Sequence, residues 1–77
     1  MTDEKLYKTL DLYEHHLENY KYSEKLYHLY NMIPKMRVFI EEGRREKVMR
    51  WLGFMQGSFW VLGIFNLDDL KEHNTPN

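Results

Sequence analysis

Between residue 2 and residue 33 the chain has no proline and no glycine, and its apolar residues recur at helical intervals. Leu6, Leu10, Tyr13, Leu17 and Tyr20 step by 4, 3, 4 and 3 residues. That spacing draws one apolar stripe down a helix, with the step of a coiled-coil seam. The seam then fails, because its next positions are Glu24, Tyr27 and Asn31. A second stripe begins at Tyr22 and runs through Leu26, Leu29 and Ile33. An offset of two residues turns it about 200° around the helix axis. Either the helix breaks near Tyr22–Ser23, with Ser23 capping a second helix, or one long helix shows two faces to two neighbours. The span is rich in Leu, Tyr, Glu and Lys. That composition favours one helix over about residues 3–32, capped by Thr2 or Asp3. At 1.5 Å per residue it would be about 45 Å long, a length that points to a partner chain.

Pro34 is expected to end or restart this helix, because proline lacks an N–H and pushes Ile33 towards extended geometry. A short helix over about residues 35–42 follows, and Gly43 has the place of a left-handed C-terminal stop; the alternative is a helix running straight through it, at a cost of about 1 kcal/mol relative to alanine. The helical pattern resumes at Arg44 or Arg45 and runs to about Ile64. Its main stripe is Val48, Trp51 or Leu52, Met55, Phe59 and Leu62. Asn66 is placed to cap a last short helix, with Asp68 and Asp69 in its first turn and His73 near its end. No strand-like alternation and no internal repeat occurs. The chain is expected to form one helical domain over residues 1–74, with 75–77 a frayed tail.

The stretch RWLGFMQGSFWVLGIF, from Arg50 to Phe65, is apolar on every side of a helix. Trp51 to Phe65 is shorter than the roughly 20 residues of a membrane span, and charges flank it closely. Its polar face is too poor for an interfacial helix. Gly53 and Gly57 form a G-x-x-x-G pair on one face, where another backbone can come close. In a non-membrane chain such a pair usually marks a crossing helix of the same fold. A helix apolar all round needs cover all round. The remaining chain offers barely enough, so a homo-oligomer is expected rather than a monomer. Trp51, Gly53, Met55, Gly57, Phe59, Trp60 and Leu62 are assigned to core and self-association.

Composition adds limits. Seventy-seven residues bury only about 60% of the surface that the unfolded chain exposes. Six Tyr, four Phe and two Trp compensate for the small core. There is no cysteine, which removes disulfides and thiolate metal or redox sites. No signal peptide is expected. The net charge of −1 gives no global field towards nucleic acid or membrane. The charge is segregated, however. Residues 1–34 carry four Lys against six acids, residues 35–50 six Lys/Arg against three acids, and residues 51–77 one Lys against three acids.

Candidate chemistry is sparse. Asp11, His15 and Glu18 share a face, as do Glu24 and His28, but no Glu-x-x-His motif occurs, so no metal and no cofactor is expected. Ser23 and Ser58 sit in no nucleophile motif and no Gly-rich phosphate loop is present, so no enzyme is expected. Arg44, Arg45, Lys47 and Arg50 near a helix start can hold phosphate. Interleaved acids such as Glu46, four residues before Arg50, favour ion pairing instead. Tyrosine is common at interaction hot spots. Tyr7, Tyr22 and Tyr30 fall partly off the packed seam and are the better candidates for exposure.

The stretch EEGRREKVMRWLGFMQGSFWVLGIFNLDDLKEHN combines a glycine-ended helix, a charged turn, Arg50-Trp51-Leu52-Gly53-Phe54, Gln56-Gly57, an acidic short helix and His73-Asn74. It resembles a group of small helical proteins encoded by tailed bacteriophages and prophages. The resemblance covers the C-terminal half and carries no functional residues with it. It implies a cytoplasmic accessory protein made in an infected host cell. The expectation is therefore an all-α fold: a long N-terminal helix packed on a helical hairpin with an apolar C-terminal helix, in an oligomeric bundle. Its function would be to bind, and by steric masking inhibit, a host macromolecule, with antiviral defence one such target. Tyr22, Tyr30, Arg44, Arg45 and Lys47 are the expected contact surface. The alternative is a phosphate-ligand or nucleic-acid binder using the basic 44–50 segment.

Overall fold

A computed structural model describes residues 1–20 and 23–75. They form four α-helices and no strand: α1 Asp3–Leu17, α2 Glu24–Glu41, α3 Arg45–Val61 and α4 Leu67–His73. A 3₁₀ turn, Glu18–Tyr20, follows α1. The all-α expectation holds, but the single long N-terminal helix does not form. The chain breaks between the two offset stripes. Leu6, Leu10, Tyr13 and Leu17 are buried along α1, and Leu26, Leu29 and Ile33 along α2, all in one core. A continuous helix would point one stripe away from the other. Burying Leu26, Leu29 and Ile33 contributes about 4–9 kcal/mol. Breaking the helix costs a few hydrogen bonds at about 0.5–1.5 kcal/mol each. Burial wins. Ser23 holds the extended backbone of an N-cap, although its side chain makes no capping bond.

Pro34 corrects a second expectation. It lies inside α2, on the exposed side, and the helix continues to Glu41. A proline within a helix costs about 3 kcal/mol. Ile33, Met36 and Ile40 flank it and are buried, which outweighs that cost at about 1.5–3 kcal/mol each.

The helix ends follow the local rules. Thr2 caps α1 by accepting from the Lys5 N–H at 3.1 Å. After α2, Gly43 takes φ 73°, its N–H donates to the Ile40 carbonyl, and the Arg44 N–H donates back to Phe39 at 2.9 Å. Gly63 repeats the same left-handed stop after α3, with φ 74° and the Ile64 N–H donating to Phe59 at 2.8 Å. Asn66 and Asp69 form a reciprocal capping box that starts α4.

α1 packs on α2, and α2 packs on α3. Arg37 on α2 fixes the first of these contacts, donating to Glu14 and Asp11 of α1 at 2.7 Å each. The Glu14 hydrogen bond, with Asp11 beside it, pushes the guanidinium pKa above its ordinary value. Val48, Leu52, Met55 and Phe59 face the core from α3.

The short α4 is held by polar groups as well as by Leu70. Gln56 donates through Nε2 to the fully buried Tyr13 hydroxyl at 3.0 Å and to Asn74 Oδ1 at 2.9 Å, while Asn74 Nδ2 returns a bond to Gln56 Oε1 at 3.0 Å. The Tyr13 hydroxyl lies 2.8 Å from His73 Nδ1. Because Gln56 donates to the phenol oxygen, the phenol proton is directed to His73, which accepts it as a neutral imidazole. Burial pushes the Tyr13 pKa up to about 12 and the His73 pKa down.

Candidate functional site

α2 and α3 form the helical hairpin expected around Gly43. At the turn, Phe39 meets Trp51 edge-on with ring centroids 5.0 Å apart. Lys47 Nζ sits 4.6 Å over the Phe39 ring, and the Arg44 guanidinium 5.1 Å over the same ring. These are cation–π contacts within the chain. Arg44 also pairs with Glu42 at 3.6 Å. Arg45 reaches the other way, to the Asp3 carboxylate and the Met1 carbonyl. The three basic residues expected to form a contact surface are thus each engaged at the hairpin turn or with the N-terminus. Tyr30 is half-buried against the core and stacks with Tyr27 at 6.5 Å. It lies two turns before Arg37, on the α1 side of α2, so it does not join the basic cluster in one patch. Tyr22 lies outside the described residues.

Further along the hairpin, α2 and α3 leave a cleft. Its larger part, about 1090 Å³, is bounded by Lys25 and Leu29 of α2 and by Phe54, Trp60, Val61 and Leu62 of α3. Gly53 and Gly57 line it between them. This corrects one of the two expected roles of the G-x-x-x-G pair, the crossing of another helix of the same fold. No helix of the fold crosses there, and a Cβ added at either glycine would meet nothing within 4 Å. The apolar helix is also not covered all round. Val61 is 77% exposed, Phe54 58%, Trp60 53% and Leu62 44%. Of the residues assigned to core and self-association, Met55 and Phe59 are core, Trp51 is half-buried on Phe39, and Gly53, Gly57, Trp60 and Leu62 are exposed.

The geometry of a helix explains the division. Leu52, Met55 and Phe59 occupy one side of α3, and at 100° per residue Gly53, Gly57, Trp60 and Val61 lie about 105–165° away from the centre of that stripe. Leu62 follows the last residue of α3 and turns outward with the Gly63 stop. The cleft's smaller part, about 500 Å³, continues towards the turn and is lined by Asn31, Met32, Lys35 and Arg50, among others. His28 and Phe54 border both parts, which lie one after the other along the hairpin. Sequence patterning missed Phe54, Val61, Lys35 and His28 as members of one site. The signal for the first two was present: Phe54 and Val61 are seven apart, on the side opposite the core stripe.

Glu46 and Arg50, spaced to pair, form no ion pair in the structure. Among the described residues no three His, Asp or Glu side chains come together as a metal-binding group. Among the same residues, no helix is long and apolar enough to cross a membrane. Compared with protein-family models, with curated proteins and with solved structures, the chain matches none of them.

Proposed function

We propose that this chain is a small interaction protein that acts by docking on another protein and masking its surface, with the cleft between α2 and α3 as the contact face. One observation carries the proposal: Phe54, Trp60, Val61 and Leu62 stand exposed around a cleft that Gly53 and Gly57 leave open. Each interior glycine costs a helix about 1 kcal/mol relative to alanine. The fold gains nothing from either one, because a Cβ would fit at both. An approaching backbone would gain from both. The likeness of the C-terminal half to phage proteins supports a host protein as the target and the host cytoplasm as the place.

Self-association is a second reading, favoured because the same face carries both the projecting Trp60 and the glycine hollow that a second copy needs. The phosphate or nucleic-acid reading is weaker, since Arg44, Arg45 and Lys47 are already engaged within the chain.

The test pairs solution mass with partner capture. Light scattering at low and high salt is run on the native chain and on Val61→Glu. Targets cross-linked to the native chain are then compared with those cross-linked to Gly57→Leu. The proposal expects capture that Gly57→Leu abolishes while its helix content is unchanged. Equal capture by the variant removes the cleft from the contact. A steep loss of binding with salt, unaffected by Gly57→Leu, supports the basic segment instead.

A further inference from the structure

The cleft is chemically two-sided along its length, and the chain's ion pairs show why. Lys8 pairs with Glu4, Arg37 with Asp11 and Glu14, Arg44 with Glu42, and Arg45 with Asp3. Lys25, Lys35 and Arg50 line the cleft, and among the described residues none of the three has an ion pair. Glu24 is the one carboxylate among the described residues that line it. Three cations face one acid in the cleft of a chain whose net charge is −1. Lys35 and Arg50 sit at the end near the hairpin turn with no acid beside them, whereas Lys25 and Glu24, of opposite charge, line the other end with the exposed apolar side chains.

We infer that the cleft receives an amphipathic helix of a partner protein, with its apolar anchors over Gly53 and Gly57 and its acidic end against Lys35 and Arg50. This deepens the proposed function and rests on the cleft being a contact face. A helix suits a trough between two antiparallel helices floored by glycine, because close interaxial approach lets anchors at i, i+3, i+4 and i+7 fill it. Acidic side chains at one end fix its direction, since reversing the helix would set apolar residues on Lys35 and Arg50 and carboxylates on Trp60 and Val61, where Lys25 is offset by Glu24. A second copy answers less of the surface. Two clefts meeting face to face would cover the apolar end but bring only one carboxylate each, leaving Lys35 and Arg50 unmatched.

The test is selection from a display library of random peptides the length of α3, 17 residues, against the native chain. Binders are read by the emission of Trp60 and Trp51. The expected winners carry helical apolar spacing with Asp or Glu gathered at one end. Their affinity falls about tenfold for the Lys35→Glu/Arg50→Glu double variant, whose exposed positions leave the fold intact. Winners without an acidic end, or binding unchanged in the double variant, overturn the acidic partner and leave the cleft as a contact face. Winners indifferent to Gly57→Leu, or no winners at all, overturn both. A dimer in light scattering that Val61→Glu converts to monomer shows a second copy in the cleft, and also overturns the inference.

Discussion

Tyr13→Phe tests what holds the C-terminal helix in place. The substitution keeps the ring and its contacts, at 4.7 Å to Phe59 and 5.5 Å to Phe65, and removes only the hydroxyl. That oxygen is the meeting point of Gln56 on α3 and His73 on α4. His73 is only half-buried, so water can replace the lost bond there. Gln56 is buried and keeps Asn74, but one of its amide protons loses its acceptor. A buried polar group deprived of its partner costs about 1–3 kcal/mol. In a chain of this length each kcal/mol moves the melting temperature by about 4–8 °C, so Tyr13→Phe should lower it by roughly 4–24 °C. Thermal and urea melts followed by far-UV circular dichroism measure the loss. A double-mutant cycle with His73→Ala should show coupling of at least about 0.5 kcal/mol. A loss below about 0.5 kcal/mol, with additive variants, would mean that the network does not hold α4 and that Leu70 and Phe65 anchor it alone.

Other predictions follow from the same structure. Burial, with Lys5 and His16 nearby, lowers the His73 pKa below its ordinary 6.5, despite the opposing pull of Asp69 and Glu72. The unfolded chain therefore binds the proton more readily, so stability is full above pH 6.5 and falls as pH drops through the folded value. Melts across that range should show the decline, and His73→Gln should flatten it. Gly43→Ala meets no clash but forces an L-residue to φ 73°, so it should cost about 1–2 kcal/mol in urea melts. Gly53→Ala, with no clash and helical geometry, should instead gain up to about 1 kcal/mol. A loss there would show that the fold itself needs the glycine. Arg37→Ala removes a two-carboxylate clamp between α1 and α2 and should cost about 1 kcal/mol, less at high salt.

Local chemistry makes much of the fold legible in the sequence. The apolar stripes of α1, α2 and α3, the Thr2 and Asn66 caps and the Gly43 stop depend on neighbours within a turn or two, and such signals are written in consecutive residues. What the sequence could not arbitrate was a contest between elements. Whether the helix broke after Leu17, and whether Pro34 ended one, depended on how much side chain a shared core could bury against the cost of lost helical bonds. The candidate site was half legible for the same reason. The greasy, glycine-spaced face of α3 was visible, but the sequence alone left its glycines between an internal crossing and an interface with a second copy. Only the packing of α2 beside α3 left that face open, turned Arg44 and Lys47 onto Phe39 and aligned Lys35 with Arg50. The sequence by itself determined which residues are apolar, where helices can start and stop, and that one face of α3 has no polar cover. The tertiary structure decided which of two faces was buried, because a chain this short has core enough for only one.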